Sequence, residues 1–229
     1  MTDGQARRLW NRASAVEARG QIVEIGSYRG RSTILLARAA APGVGVIAID
    51  PHAGNDRGPR EIHGRLEEGT ADLQAFGANI AAAGVGDRVR HIRRPSRQAA
   101  EEVAGPIELL YVDGAHRYRP AADDLTRWGP RVAAGGTMLV HDAFSSIGVT
   151  FALIRHVVFG RDFAFAGRTR SLAEYRRVDL RGRRRVVNAA RQVAQLSWFA
   201  RNVAIKIAIV ARLWPLARRL SGGPAEWPY

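Results

Sequence analysis

Five apolar runs punctuate residues 21–142, and their alternation with helix-like segments constrains the chain more than any other feature. The runs are QIVEIG (21–26), GVIAID (45–50), RVRHI (88–92), IELLYVD (107–113) and TMLVHD (137–142). Each is nearly continuous in apolar residues, as a strand buried on both faces must be. Between them lie alanine-rich, leucine-rich or amphipathic stretches such as STILLARAA (32–40), ADLQAFGANIAAAG (71–84) and AADDLTRWGPRVAAGG (121–136). Strand–helix alternation of this kind points to an α/β sandwich around a parallel sheet. Two later β-like pieces, DFAFAG (162–167) and LAEYRRV (172–178), are joined by a short turn of Arg, Thr and Ser. They are expected to complete a mostly parallel seven-stranded sheet with an antiparallel edge strand.

At 229 residues the chain makes one large domain, or one domain with an appendage. Its 46% hydrophobic and 24% charged residues exclude disorder. It has no cysteine, which excludes disulfides, zinc–thiolate and iron–sulfur sites and a cysteine nucleophile. The formal charge of +14 is unevenly placed. Residues 180–229 hold ten basic residues against one acid, Glu226, whereas the other 179 hold 25 against 20. Acids vanish where RGRRR begins, so a domain at 1–180 and a basic tail at 181–229 are expected. Of the 35 basic residues 34 are arginine, a bias that reads as genome composition, and nucleic acid is not the expected partner. The start MTDGQARRLW lacks the apolar core of a secretory signal, and no uncharged apolar run approaches the roughly 18–20 residues that span a bilayer. A cytoplasmic location follows as the expectation, with the inner face of the membrane as a second address for the tail.

The first strand runs into a glycine turn, Glu24-x-Gly26-x-x-x-Gly30-x-Ser32. Such a turn lets a ligand approach the backbone and aims helix N-terminal N–H groups at it. The spacing is neither the dinucleotide fingerprint nor a P-loop. Twenty-four residues after Gly26 the second strand ends in Asp50, a carboxylate suited to both hydroxyls of a ribose. The plainer reading is a packing turn, with Asp50 as a helix cap.

Taken together these residues resemble the class I S-adenosylmethionine-dependent methyltransferases. The stretch YVDGAHRYRPAADDLTRWGPRVAAGGTMLVHDAF (111–144) resembles their small-molecule O-methyltransferase-like branch of the Asp-Gly-x-His-x-Tyr type. It carries Asp113, Gly114, His116, Tyr118, Asp124, Leu125, Gly135, Gly136 and Asp142 in that pattern. The resemblance spans roughly residues 15–178 and leaves the tail outside. It implies a Rossmann-like sandwich and S-adenosylmethionine as cofactor. By resemblance, Glu24, Gly26, Ser27, Gly30 and Ser32 surround the methionine part, Asp50 holds the ribose, Ser96 and Arg97 face the adenine, and Asp113 borders the cofactor. Ser96 reads equally well as the cap of the helix that follows.

Strands four and five both end in aspartate, Asp113 and Asp142, on the sheet edge where ligands sit in open α/β folds. Two carboxylates brought together there repel unless a cation or proton lies between them. Catechol-type and macrolide-sugar O-methyltransferases hold a divalent metal with such aspartates, so the resemblance implies Asp113 and Asp142 as ligands, with Mg2+ the expected ion. Ala143 stands where the catechol-type enzymes have an amide or acid, which leaves water, Asp123 or Asp124 to complete the shell. The alternative is that Asp113 caps a helix and Asp142 bonds loop backbone. His116 and Asp113 are the candidate catalytic residues. An imidazole three residues past Asp113 suits a general base at neutral pH, or a hydrogen bond that orders the loop. His141 should, by strand alternation, point away from Asp142 and play a buried supporting part.

The loop PHAGNDRGPREIHGR (51–65) has the composition of a cover over the cofactor mouth, where Arg57, Arg60 and His63 would meet an anionic or sugar substrate; a solvated loop is the plainer reading. In the tail one helix is expected from Val186 to Trp214, roughly 40 Å long. Its stripe is Val193, Leu196, Val203, Ile207, Val210 and Trp214, with Arg184, Arg191, Gln195, Asn202 and Lys206 on the other side. It either folds back on the domain, pairs in a homodimer, or lies on an anionic membrane through residues 184–219, with Trp198, Trp214 and Trp227 at the interface. The expected function is methyl transfer to a hydroxyl of a small molecule: a sugar, a lipid-linked glycan or another secondary metabolite. An RNA methyltransferase with Arg181–Arg185 as its RNA arm, and a non-catalytic membrane scaffold of the same fold, are the rivals.

Overall fold

The structure is a computed structural model that describes residues 1–18, 20–54 and 63–222. In chain order it comprises α1 (Asp3–Ala13), β1 (Gln21–Ile25), α2 (Arg31–Ala39), β2 (Gly45–Ile49), α3 (Leu66–Ala82), β3 (Val89–Ile92), α4 (Ser96–Ala99) and β4 (Ile107–Val112). Then follow α5 (Tyr118–Trp128), β5 (Val132–Val140), α6 (Ile147–Leu153), β6 (Phe163–Thr169), β7 (Leu172–Arg177), α7 (Gly182–Val193), α8 (Leu196–Val210) and α9 (Trp214–Ser221).

All seven strands join one sheet in the order β3-β2-β1-β4-β5-β7-β6. Strands β1 to β5 pair in parallel. The expected antiparallel addition is the β6–β7 hairpin: β7 pairs antiparallel with β5, and β6 takes the outer edge. Alternation along each strand feeds two cores. Val23, Ile25, Leu110, Val112, Met138 and Val140 pack with Trp128 and Leu125 of α5 and Leu153 of α6 on one face. Ile22, Val46, Leu109, Tyr111 and Leu139 pack with Leu9 of α1, Leu36 of α2 and Phe76 of α3 on the other. Burial on both faces is why the strands read as unbroken apolar runs. From β1 the chain winds outward to β2 and β3, then returns past β1 to β4. The carboxyl ends of β1 and β4 therefore flank the crevice where such sheets bind ligands.

Helix α1 has no counterpart in the strand–helix pattern. Its signal is a capping box: Gln5 N–H donates to Thr2 Oγ1 and Thr2 N–H donates to Gln5 Oε1. Arg8 and Arg12 of α1 both pair with Glu174, buried on β7. Strand β5 also begins earlier than expected, at Val132, taking in VAAGG from the supposed helical stretch.

The tail departs from expectation in two ways. Its helix is broken at residues 194–195 into α7 and α8 and continues in α9. More important, polar side chains face the domain beside apolar ones: Ile205 and Ala208 are buried, Trp198 and Phe199 pack on the core, and polar groups turn in with them. Asn188 Oδ1 accepts Phe165 N–H at 2.7 Å and its amide donates to Phe163 C=O at 3.1 Å. Lys206 Nζ donates to Ser145 C=O at 3.0 Å, and Asn202 is buried beside Phe144. The reason is that edge strand β6 and the loop after β5 offer bare backbone groups, which only polar side chains can satisfy. Leu196 still packs on the core. Of the other stripe residues Val203 is half-buried, while Val193, Ile207, Val210 and Trp214 are 43%, 62%, 69% and 47% exposed. By length and composition Gly182–Val210 is long and apolar enough to cross a bilayer, though Arg201 and Lys206 keep it from being an uncharged run; its polar side chains bond it to the domain.

Candidate active site

The turn after β1 is shaped by contact with β4. Gly26 has φ +87°, and a Cβ there would sit 2.1 Å from the Asp113 carbonyl oxygen. Asp113 N–H in turn donates to Ile25 C=O at 2.8 Å, so the two strand ends are clamped together. Gly30 has φ +85° and starts α2 in the left-handed conformation. Both glycines are required by backbone geometry. Below the turn Glu24 is fully buried; its Oε2 accepts from Thr33 Oγ1, while Oε1 has no hydrogen-bond partner. Burial pushes its carboxyl up to about 7, against the pull of the Ser32 and Thr33 hydroxyls. Ser27 Oγ is likewise buried without a partner. Both atoms are open to a ligand that brings its own polar groups.

Asp50 organises the loops instead of capping a helix. Its Oδ2 accepts Tyr28 N–H and its Oδ1 accepts His52 N–H, each at 2.8 Å. Tyr28 and His52 are held at φ +46°, and Asp142 and Phe144 at +54° and +56°. Four residues in left-handed backbone thus border the same sheet edge, where such conformations tend to mark function.

A cavity of about 770 Å³ opens at this edge. Gly26, Ser27, Ser32, Asp50, Ser96, Arg97, Asp113 and His116 all line it, as do Asp123 and Asp124. Glu24, Gly30 and Asp142 lie behind the lining. Ser96 is the first residue of α4 and not its cap; its hydroxyl donates to Asp124 Oδ1. Burial pushes Asp124 up to about 7. That bond removes Asp124 from the metal ligands considered above. Arg57 and Arg60 lie outside the described residues; His63 is exposed.

On the β4–β5 side the sequence reading is corrected. Neither carboxylate caps a helix: α5 starts at Tyr118 with Arg117 at its cap. Asp113 Oδ2 accepts from Tyr111 Oη at 2.7 Å. His116 Nε2 lies 2.9 Å from Asp142 Oδ2. His141 does not turn away. Strand β5 ends at Val140, and Asp142 at φ +54° breaks the alternation on which the expectation rested. The His141 ring enters the site, with Nδ1 3.1 Å from Asp113 Oδ1 and 3.3 Å from Asp142 Oδ2. It aligns as a hydrogen bond with neither carboxylate. The third group beside Asp113 and Asp142 is therefore His141, in place of Asp123 or Asp124.

The charges follow from this packing. Burial alone would lower both imidazoles, but Asp113 and Asp142 raise His141 to about 10, and Asp142 raises His116. Asp142 is buried, yet the two imidazoles hold its carboxyl well below the usual range. Gln5 reaches His141 from α1, its Nε2 lying 3.4 Å from His141 Nε2 and 3.1 Å from Ser171 Oγ. The capping box fixes which end of that amide faces the ring. A donor against Nε2 favours the neutral ring with its proton on Nδ1, and so opposes the upward pull of the two carboxylates. A ring proton and a divalent cation would compete for that point.

Residues 23–143 match the family described as a methyltransferase domain. Over 139 residues the chain is 30% identical to catechol O-methyltransferase of Mycobacterium tuberculosis, covering 60% of this chain and 54% of that protein. The chain thus spans about half the length of this curated relative. Among solved structures it is similar to the O-methyltransferase TomG of Streptomyces achromogenes, solved with S-adenosylmethionine: TM-score 0.59, 19% identity, covering 78% of this chain and 81% of that one. It is also similar to an O-methyltransferase from Bacillus cereus in complex with SAH: TM-score 0.57, 16% identity, 77% and 82% covered. At these identities the structural likeness speaks for the fold. Since the family match takes in more than half of its residues, the chain belongs to the methyltransferase-domain family and has the Rossmann-like fold of class I methyltransferases.

Proposed function

We propose that the chain transfers the methyl group of S-adenosylmethionine to a hydroxyl of a small molecule. The observation that carries this reading is a single cavity that joins the Gly26 turn and Asp50 to His116. When bound, the cofactor supplies a methyl group made electrophilic by its sulfonium. The protein's tasks are then alignment and deprotonation of the acceptor. Glu24 Oε1 and Ser27 Oγ fit the ammonium and carboxylate of the methionine part, being buried polar atoms that the chain leaves unpartnered. Asp50 keeps a second lone pair on each oxygen for the ribose hydroxyls, beside its backbone bonds. Ser96 and Arg97 border the end of the cavity left for the adenine.

His116 is the base of this reading. With its Nε2–H given to Asp142, Nδ1 is left to take the acceptor's proton, and the Asp142 charge stabilises the imidazolium that forms. Asp113 sits beside the same cavity, with Tyr111 fixing one carboxylate oxygen. The names of the relatives favour oxygen as the accepting atom. A divalent metal is the second reading, favoured by the convergence of the Asp113 and Asp142 carboxylates with unaligned His141 Nδ1. Such a metal would bind an acceptor oxygen and lower its pKa. With an imidazole in the set, Mn2+ suits it better than Mg2+.

The test is transfer of labelled methyl from S-adenosylmethionine to a panel of catechol and sugar hydroxyls, before and after chelation. Wild-type protein is expected to label at least one acceptor. His116→Ala is expected to lower kcat by about 10²–10⁴ with little change in cofactor affinity. Undiminished transfer in that variant would remove His116 from the mechanism.

A further inference from the structure

We propose that α8 and α9 seat the protein on an anionic lipid bilayer. A surface helix in water normally turns its apolar stripe to the core and its polar side to solvent. Here α8 does so only in part: Ile205 and Ala208 are buried, but Asn202 and Lys206 turn in beside them and Ile207 and Val210 face out. The apolar surface runs on through Leu213, Trp214 and Leu216, which are 50%, 47% and 46% exposed. Among the described residues, eight of the fifteen large apolar side chains that are exposed lie between Val186 and Leu216. A contiguous patch of this kind marks a place where something apolar is bound.

Charge decides the occupant. Residues 181–222 contain ten basic residues and no acid. Arg212, Arg218 and Arg219 are exposed next to the patch, around the junction of α8 and α9. Arg201 ties the far end of α9 back onto α8, donating to Leu220 C=O at 2.8 Å and Ser221 C=O at 2.9 Å. A second copy of this chain would bring a like-charged surface against it and be repelled. An anionic bilayer satisfies both halves: its acyl boundary takes Ile207, Val210 and Trp214, and its headgroups take the arginines. A half-exposed Trp214 suits the interface between those layers. The segment does not need to span, since its inner side is already bonded to β6 and to the loop after β5. That second contact joins the two ends of the molecule. Lys206 holds Ser145, three residues beyond Asp142, so the seated helix would brace the loop that carries the His116 partner.

The experiment is co-sedimentation of the full chain with phosphatidylcholine vesicles, with and without phosphatidylglycerol. Wild-type protein should pellet with the mixed vesicles and stay in solution with pure phosphatidylcholine. The double variant Val210→Ser/Trp214→Ser should bind at least tenfold more weakly. Arg212→Gln, Arg218→Gln and Arg219→Gln should each lose about fivefold, and added salt should act in the same direction. All five positions are solvent-facing and outside the cofactor cavity, so calorimetric S-adenosylmethionine binding serves as the control for folding. Wild-type protein that stays in solution with mixed vesicles would overturn the proposal. So would serine variants that pellet like wild type, or that instead abolish a lipid-independent dimer.

Discussion

The turn at residues 24–30 and the tail helices α7 and α8 both turn polar side chains inward, with opposite consequences. At the turn, Glu24 Oε1 and Ser27 Oγ are buried and the chain offers them nothing. On the tail, Asn188 and Lys206 are matched to bare backbone at Phe163, Phe165 and Ser145. A buried polar group left open costs free energy until a ligand arrives, and so marks a binding place. A buried polar group that is closed marks a seam. At a helix seam the apolar side is then displaced outward, where it needs a partner of its own. Inward-facing polar side chains thus stay open beside a cavity in one region and close a seam in the other.

The largest effect that would sharpen this contrast is expected at Gly26. Gly26→Ala places a methyl group 2.1 Å from the Asp113 carbonyl at φ +87°, so strand ends β1 and β4 must part. A loss of about 3–5 kcal/mol in urea unfolding is expected. A variant as stable as wild type would mean that the clamp is not what sets the turn.

A second effect comes from Glu24. Its folded pKa of about 7 lies above the ordinary 4.5, so the folded chain keeps a proton that the unfolded chain releases. Stability from this group is greatest below 4.5 and falls as pH rises towards 7, by up to about 3 kcal/mol. Asp124, pushed up to about 7 by burial, slopes the same way from 3.8. The Asp142 contribution lies outside this window, being lost only as pH falls below 3.8, whereas His141 and His116, both raised from 6.5, lose theirs above 6.5 and slope the same way as Glu24. Unfolding free energies at about pH 5 and about pH 8 should differ accordingly, and Glu24→Gln should flatten the difference. An unchanged slope in that variant would show that Glu24 is already ionised in the folded chain.

The tail supplies the smaller effects. Asn188→Leu makes α7 more apolar but strips Phe165 N–H and Phe163 C=O of their partner, and is expected to destabilise by about 2 kcal/mol. Val210→Ser makes α8 more polar on its open side and should stay within about 0.5 kcal/mol of wild type. The reverse order, with the serine variant the less stable, would mean that the apolar stripe is the docked one after all.

These contrasts also explain what could be read from residues alone. The five parallel strands and their terminal carboxylates were legible because burial on both faces writes itself as unbroken apolar runs. Gly26 and Asp50 were legible because backbone geometry fixes their spacing. His141 was misread at the point where period-two logic stops: β5 ends one residue earlier, and Asp142 turns left-handed. Helix α1 was missed although Thr2 and Gln5 carry a capping box, since nothing local says that such a helix will reach His141. The tail's periodicity was visible, but periodicity names a face and not its occupant. The bare edge of β6 and the loop after β5 explain why polar side chains turn in among the apolar ones.

The most direct test of the account is calorimetric titration of S-adenosylmethionine into the full chain and into Asp50→Ala. Wild-type protein is predicted to bind, and the variant to bind at least tenfold more weakly, having lost the carboxylate that orders Tyr28 and His52 and lines the cavity. A folded wild-type chain that takes up no cofactor would contradict the account.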